Sequence, residues 1–124
     1  MPKTSKQAAS TTETAPGYEG SFEDLGGYTV GFETYTEDAD MTPLFVGLPD
    51  DRCQCPHWGI VVKGRLTYHY EDHSETIEAG QAYFAPAGHT PEIFAGTEVV
   101  EFSPTADLEK TLEVVFRNVE AMSS

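Results

Sequence analysis

Apolar residues recur along most of this chain in short runs, broken about every 8–12 positions by Gly, Pro, Asp or Ser, the rhythm of short strands joined by turns. Tyr28 to Thr36 is rich in Tyr, Thr, Val and Phe between Gly26-Gly27 and Glu37-Asp38, so it is predicted as a strand, and Gly31 marks a bulge or bend within it. Met41 to Val46 is a second short strand, which Pro43 assigns to an edge or a strand start, and Gly47 to Asp51 is a loop. His57 to Lys63 carries Ile60-Val61-Val62, apolar on both faces, and reads as a buried strand that Gly64 turns. Arg65 to Glu71 alternates, with Leu66, Tyr68 and Tyr70 opposing Arg65, Thr67, His69 and Glu71, which predicts a half-buried antiparallel return. Glu75 to Ala79, Gln81 to Phe84, Glu92 to Phe94 and Glu98 to Phe102 are further strands, and Ala85 to Pro91 is a Gly- and Pro-rich corner holding His89.

From Ala106 to Ala121 the period changes. Leu108, Leu112, Val115 and Val119 recur at helical spacing, acids stand in the first turn at Asp107 and Glu109, and Ser103 or Thr105 is the expected cap. This helix is expected to cover the sheet or an oligomer contact. Met1 to Pro16 holds no apolar residue larger than Ala after Met1, so residues 1–16 are expected to be a disordered tail ahead of one β-domain over 17–104 and a helix over 105–124. Seven or eight strands and one helix predict an all-β antiparallel sandwich or barrel.

Charge narrows the partners. With 21 Asp and Glu against 7 Lys and Arg among 124 residues, the net charge is −14, which disfavours nucleic acid and anionic membrane surfaces and leaves a small molecule as the expected ligand. No apolar run approaches the ~18–20 residues of a membrane span and the N-terminus lacks a signal-peptide core, so a cytoplasmic location is expected. The two cysteines, one residue apart, do not staple distant segments.

They do suggest a metal. If Cys53-Gln54-Cys55-Pro56-His57 is extended, Cys53, Cys55 and His57 share one face, and two thiols with an imidazole suit zinc, iron or copper, with a further ligand supplied from elsewhere. His69, on a polar strand face, and His73, in a turn, read as surface residues.

The strand pattern and two local motifs resemble the cupins, small double-sheet jelly rolls with a metal in the barrel mouth. Gly80, five residues, Pro86, Ala87 and Gly88 reproduce the start of the second cupin motif. The family's next histidine position is occupied by Pro91 and its Asn position by Ala95, while His89 is the histidine on offer, with the parity of 91. Gly64 matches the closing glycine of the first motif, and counting back places His57 where the family has Glu, Cys53 at the second His and Asp51 at the first. The resemblance spans roughly residues 45 to 104. It implies an antiparallel jelly-roll barrel with a C-terminal α-helix and one divalent transition metal, zinc or iron, held by Cys53, Cys55, His57 and His89, with Asp51 as the competitor of Cys53. Glu101, inward by parity with Val99 and Ser103, is a candidate acid–base group, and Tyr68 a phenol that orients a substrate. Two functions follow as expectations: a metal-dependent enzyme acting on a small molecule, or a non-catalytic cupin whose closed Cys/His site binds or senses a ligand. A homodimer is the expected assembly.

Overall fold

The computed structural model describes residues 2–122 of the chain. Its alternating segments pair as β1 (Thr11–Ala15), β2 (Tyr18–Leu25), β3 (Tyr28–Tyr35), β4 (Ala39–Asp40), β5 (His57–Lys63), β6 (Arg65–His69), β7 (Ser74–Glu78), β8 (Ala82–Ala85), β9 (Thr90–Ile93) and β10 (Thr97–Pro104). They form two antiparallel sheets, one ordered β1-β2-β3-β10-β5-β8 and the other β4-β9-β6-β7. The β2–β3 hairpin turns through Gly26 and Gly27, both at positive φ (60° and 88°), where a side chain would be strained.

The two sheets share one core. Tyr35, Val61, Ala85 and Val99 from the larger sheet pack with Leu66, Tyr68, Ile77 and Ile93 from the smaller. The helix α1 (Thr105–Met122) lies across one end, where Val115 joins Phe45, Cys53 and Cys55 in a second buried cluster. Asn118 anchors it by donating to the carbonyls of Leu44 and Val46, both at 2.8 Å. The architecture is the all-β double-sheet jelly roll with a C-terminal helix.

Three local expectations change. Thr11–Ala15, read from sequence as part of a tail, forms the exposed edge strand β1. All five side chains are exposed, so it is held by its main-chain ladder to β2 rather than by burial. Met41 to Val46 is not a strand: Thr42–Phe45 is a 3-10 turn with Pro43 in its first positions, where a missing N–H costs nothing. The Asp40 carboxylate starts that turn by accepting from the Thr42 amide (3.0 Å) and hydroxyl (2.6 Å). Ser103, one of the two expected caps, lies within β10, which runs on to Pro104, and its hydroxyl is engaged elsewhere.

Candidate metal centre

The site begins with a backbone bridge. The Cys53 amide donates to the His89 carbonyl at 2.8 Å and the Gly88 amide to the Cys53 carbonyl at 2.8 Å, which joins the two motif segments side by side. His57 opens β5 on its inward face, because the register of β5 alternates buried His57, half-buried Gly59 and buried Val61 with exposed Trp58 and Ile60. The Cys53 sulfur and an imidazole nitrogen from each of His57 and His89 all lie within 4.8 Å of one another, and all three residues are buried.

Hydrogen bonds decide which atoms are free to bind. His89 Nδ1 lies 2.7 Å from the Pro86 carbonyl, which can only accept, so Nδ1 carries the proton and Nε2 the lone pair. That Nε2 is buried without a hydrogen-bond partner. Burial, and then the neighbouring His57, push the His89 pKa down to about 4, so the ring is a neutral donor at ordinary pH. His57 Nδ1 lies 2.7 Å from Ser103 Oγ, and its Nε2 is 3.7 Å from the Cys53 sulfur. One thiol, two imidazoles and an orphaned lone pair fit a transition ion at about 2.0–2.3 Å from each donor, a cage that small side-chain rotations would close. Burial pushes the Cys53 thiol up to about 11, so it is protonated until a cation replaces the proton.

Cys55 does not join this group. Its thiol contacts the Pro56 carbonyl at 3.5 Å and packs with Phe45 and Val115 under α1. Residues 54–56 are not in a strand, so strand parity does not place the Cys55 sulfur with the imidazoles, although both cysteines belong to the buried cluster with Phe45 and Val115. Asp51 is exposed and accepts from the Gly47 amide at 3.0 Å, closing its own turn. His69 and His73 lie at the surface, against Glu92 (2.8 Å) and Asp72 (2.6 Å) respectively.

A row of glycines makes room for Glu101. In register it stands between Gly31 on β3 and Gly59 on β5, with Tyr83 of β8 beyond. A Cβ at Gly59 would come within 2.7 Å of the Tyr83 phenol, so that ring crosses the empty position to reach the acid. Glu101 Oε1 accepts from Tyr68 (2.5 Å) and Tyr83 (2.6 Å), while Oε2 is 3.7 Å from His57 Nδ1. Burial and the Glu101 charge raise the pKa of both phenols, which keeps them as donors. Tyr68 also packs edge-on against His89, with ring centroids 4.8 Å apart.

Glu33 repeats this arrangement further along the same wall. It pairs with Val99 and Gly20, and its Oε2 accepts from Tyr18 (2.9 Å) and Tyr35 (3.1 Å). Burial, and then the charge of Glu101, push its pKa up to about 7. Sequence reading missed Glu33 altogether, took Tyr83 only as pocket wall and did not connect Ser103 with His57. The parity of β3 carried the signal for the first, since Thr29, Gly31, Glu33 and Tyr35 share one face. The metal-ligand candidates and both carboxylates border one cavity of about 390 Å³ between the sheets, walled on one side by Leu108, Leu112 and Phe116 of α1.

The fold is similar to that of solved cupin structures. An RmlC-like cupin from Shewanella frigidimarina matches with a TM-score of 0.55 and 11% identity over 82% of this chain and 88% of its own. A structural-genomics protein of unknown function from Rhizobium leguminosarum matches at 0.59 and 20% identity, over 83% and 95% of the two chains. AerE from Microcystis aeruginosa matches at 0.56 and 12% identity, over 76% of this chain and 44% of that one. No protein-family model and no curated protein sequence matches. No helix among the described residues is long and apolar enough to cross a membrane.

Proposed function

We propose that this chain is a metal-dependent cupin enzyme acting on a small molecule, with zinc or iron held by Cys53, His57 and His89. The observation that carries this reading is the number of donors: three gather at the cavity wall where a closed structural site would have four. A cavity of about 390 Å³ suits a small organic ligand. A bound ion would supply Lewis acidity at a coordination position left to the substrate. The chain's own residues supply the rest. Glu101, its Oε1 held by two phenols, presents Oε2 toward His57 as an acid–base group, and Tyr68 holds it in place from the opposite sheet. Ser103 holds the His57 ring through Nδ1, so Nε2, on the side of the Cys53 sulfur, would be the atom that holds a bound ion. Burial under α1 limits water at the thiol, and the free cysteines suit a reducing, cytoplasmic setting.

Elemental analysis of the purified protein tests the ligand set. About one transition ion per chain is expected in the wild type and in Cys55→Ser, and loss of it in His89→Ala. Unchanged metal in His89→Ala would overturn the site. A four-coordinate cobalt spectrum that persists in wild type but is lost in Cys55→Ser would restore the closed Cys2His2 centre and with it a non-catalytic role.

A further inference from the structure

The cavity that holds the candidate metal centre carries one sign of charge. Its lining includes the carboxylates of Glu13, Glu33, Glu37, Asp38 and Glu101 and, among the described residues, no Lys or Arg. Glu13, Glu37 and Asp38 are exposed, so they mark where the cavity meets solvent, while Glu33 and Glu101 are less exposed and lie further in. In the β3–β10 register Glu33 stands opposite Val99 and Glu101 opposite Gly31. The two acids are therefore diagonal neighbours on one inward face, about 7–8 Å apart. With no Lys or Arg beside it, each uses one oxygen to accept from two phenols: Tyr18 and Tyr35 at Glu33 Oε2, Tyr68 and Tyr83 at Glu101 Oε1. Glu33 Oε1 and Glu101 Oε2 stay outside these pairs, and all four phenols are committed to carboxylates rather than left to meet an anion. The Tyr18 and Tyr35 rings flank Glu33 with centroids 5.0 Å apart, and a carboxylate beside aromatic rings attracts an ammonium. Much of the remaining wall is apolar, with Leu66, Ile93, Leu112 and Phe116. The same lining contains the unpartnered Nε2 of fully buried His89, an independent sign that the cavity takes a ligand.

We infer that the substrate of this cavity is an organic cation, an amine or ammonium carried on an apolar body, and that Glu33 is the residue that selects it. The inference rests on the reading of this cavity as the substrate site and names the class of molecule it takes. The ammonium supplies the counter-charge that the protein withholds from Glu33, and the apolar wall takes the body. A carboxylate or phosphate ester would meet Glu33 and Glu101 with no cation between, and burial leaves that repulsion poorly screened. The exposed acids at the mouth and the net charge of −14 draw cations in the same direction. A second metal ion is a poorer occupant, because among the described residues Glu33 and Glu101 belong to no group of three donors, whereas Cys53, His57 and His89 do.

Isothermal titration calorimetry of the full chain, zinc-loaded and metal-free, gives the test. Phenethylamine, 2-phenylethanol and phenylacetate put a positive charge, no charge and a negative charge on one apolar body. At pH about 8 the amine keeps its proton, while Glu33, pushed up to about 7, has lost its own. The amine is expected to bind at least about tenfold more tightly than the alcohol, and the anion more weakly than both, in either metal state. Glu33→Gln should cost the amine about tenfold in affinity and leave the alcohol unchanged. Undiminished amine binding in a Glu33→Gln variant that its circular dichroism melt shows to be folded overturns the inference, and so does a wild type that does not bind the amine below about 10 mM. The wild-type series decides by itself if the variant does not fold. Phenylacetate binding as tightly as the amine also overturns it; where that happens only in zinc-loaded protein, the metal centre stands and the substrate class falls. Conversely, a chain that retains no metal but shows the Glu33-dependent preference for the amine keeps the substrate class and loses the metal enzyme.

Discussion

Glu33→Gln isolates the electrostatics of the cavity. In the folded chain burial and Glu101 hold the Glu33 pKa at about 7, against an ordinary 4.5. Between those values the folded state keeps a proton that the unfolded state has released, so relative to the glutamine variant the wild type loses stability as pH rises. The advantage is complete below pH 4.5 and gone above about 7, and at 1.36 kcal/mol per unit it amounts to about 3 kcal/mol. His89 acts in the opposite sense. Its folded value of about 4 against 6.5 means that stability falls as pH drops through that window, which flattens the wild-type profile and hides both contributions. Both proteins carry His89, so its contribution cancels in the difference between them, which reports Glu33 together with its interaction with Glu101. Urea denaturation of metal-free wild type and Glu33→Gln at half-unit steps should show that difference swinging by about 3 kcal/mol between pH about 4.5 and 7.5. Profiles that stay parallel within about 0.5 kcal/mol would refute the buried-acid reasoning.

Metal uptake near neutral pH is expected to release about one proton per chain, because Cys53 is held protonated at about 11 while His89 is already neutral; a weakly buffered indicator assay reads it, and no release would exclude thiolate ligation. Gly59→Ala places a Cβ 2.7 Å from both the Tyr83 phenol and the Val100 carbonyl, and should destabilise the fold by about 1–3 kcal/mol, measured by thermal melting; a neutral effect would mean that the row beside Glu101 has slack. A chelator is expected to lower the melting temperature of the wild type and to leave that of His89→Ala unchanged, and equal shifts in both would place the metal elsewhere.

Much of the architecture was legible because it depends on local chemistry. The strand over 57–63 agrees with the structure residue for residue, since Gly64 ends it and its β-branched run admits little else. The helix agrees within a residue at each end, from its apolar spacing alone. Met41 to Val46 misled because its apolar composition outweighed Pro43 and the Asp40 cap, which together favour a tight turn.

The site divides along the same line. Residue types at 53, 57 and 89 and the Gly80–Gly88 corner were enough to nominate a thiol–imidazole centre, since those donors suit few other roles when grouped. That Cys55 stays outside the thiol–imidazole group was decided by irregular backbone over 54–56, where strand parity does not apply. That Glu33 lines the cavity was decided by register, which sets it beside Gly20 and gives the Tyr18 phenol a path to it. Glu101 on β10 was already read as inward by parity, but the inversion of β3, polar side in and apolar side out, belongs to the tertiary structure. Alternation along a strand specifies two faces and their contrast, and only the packing of one sheet on the other decides which face the cavity takes.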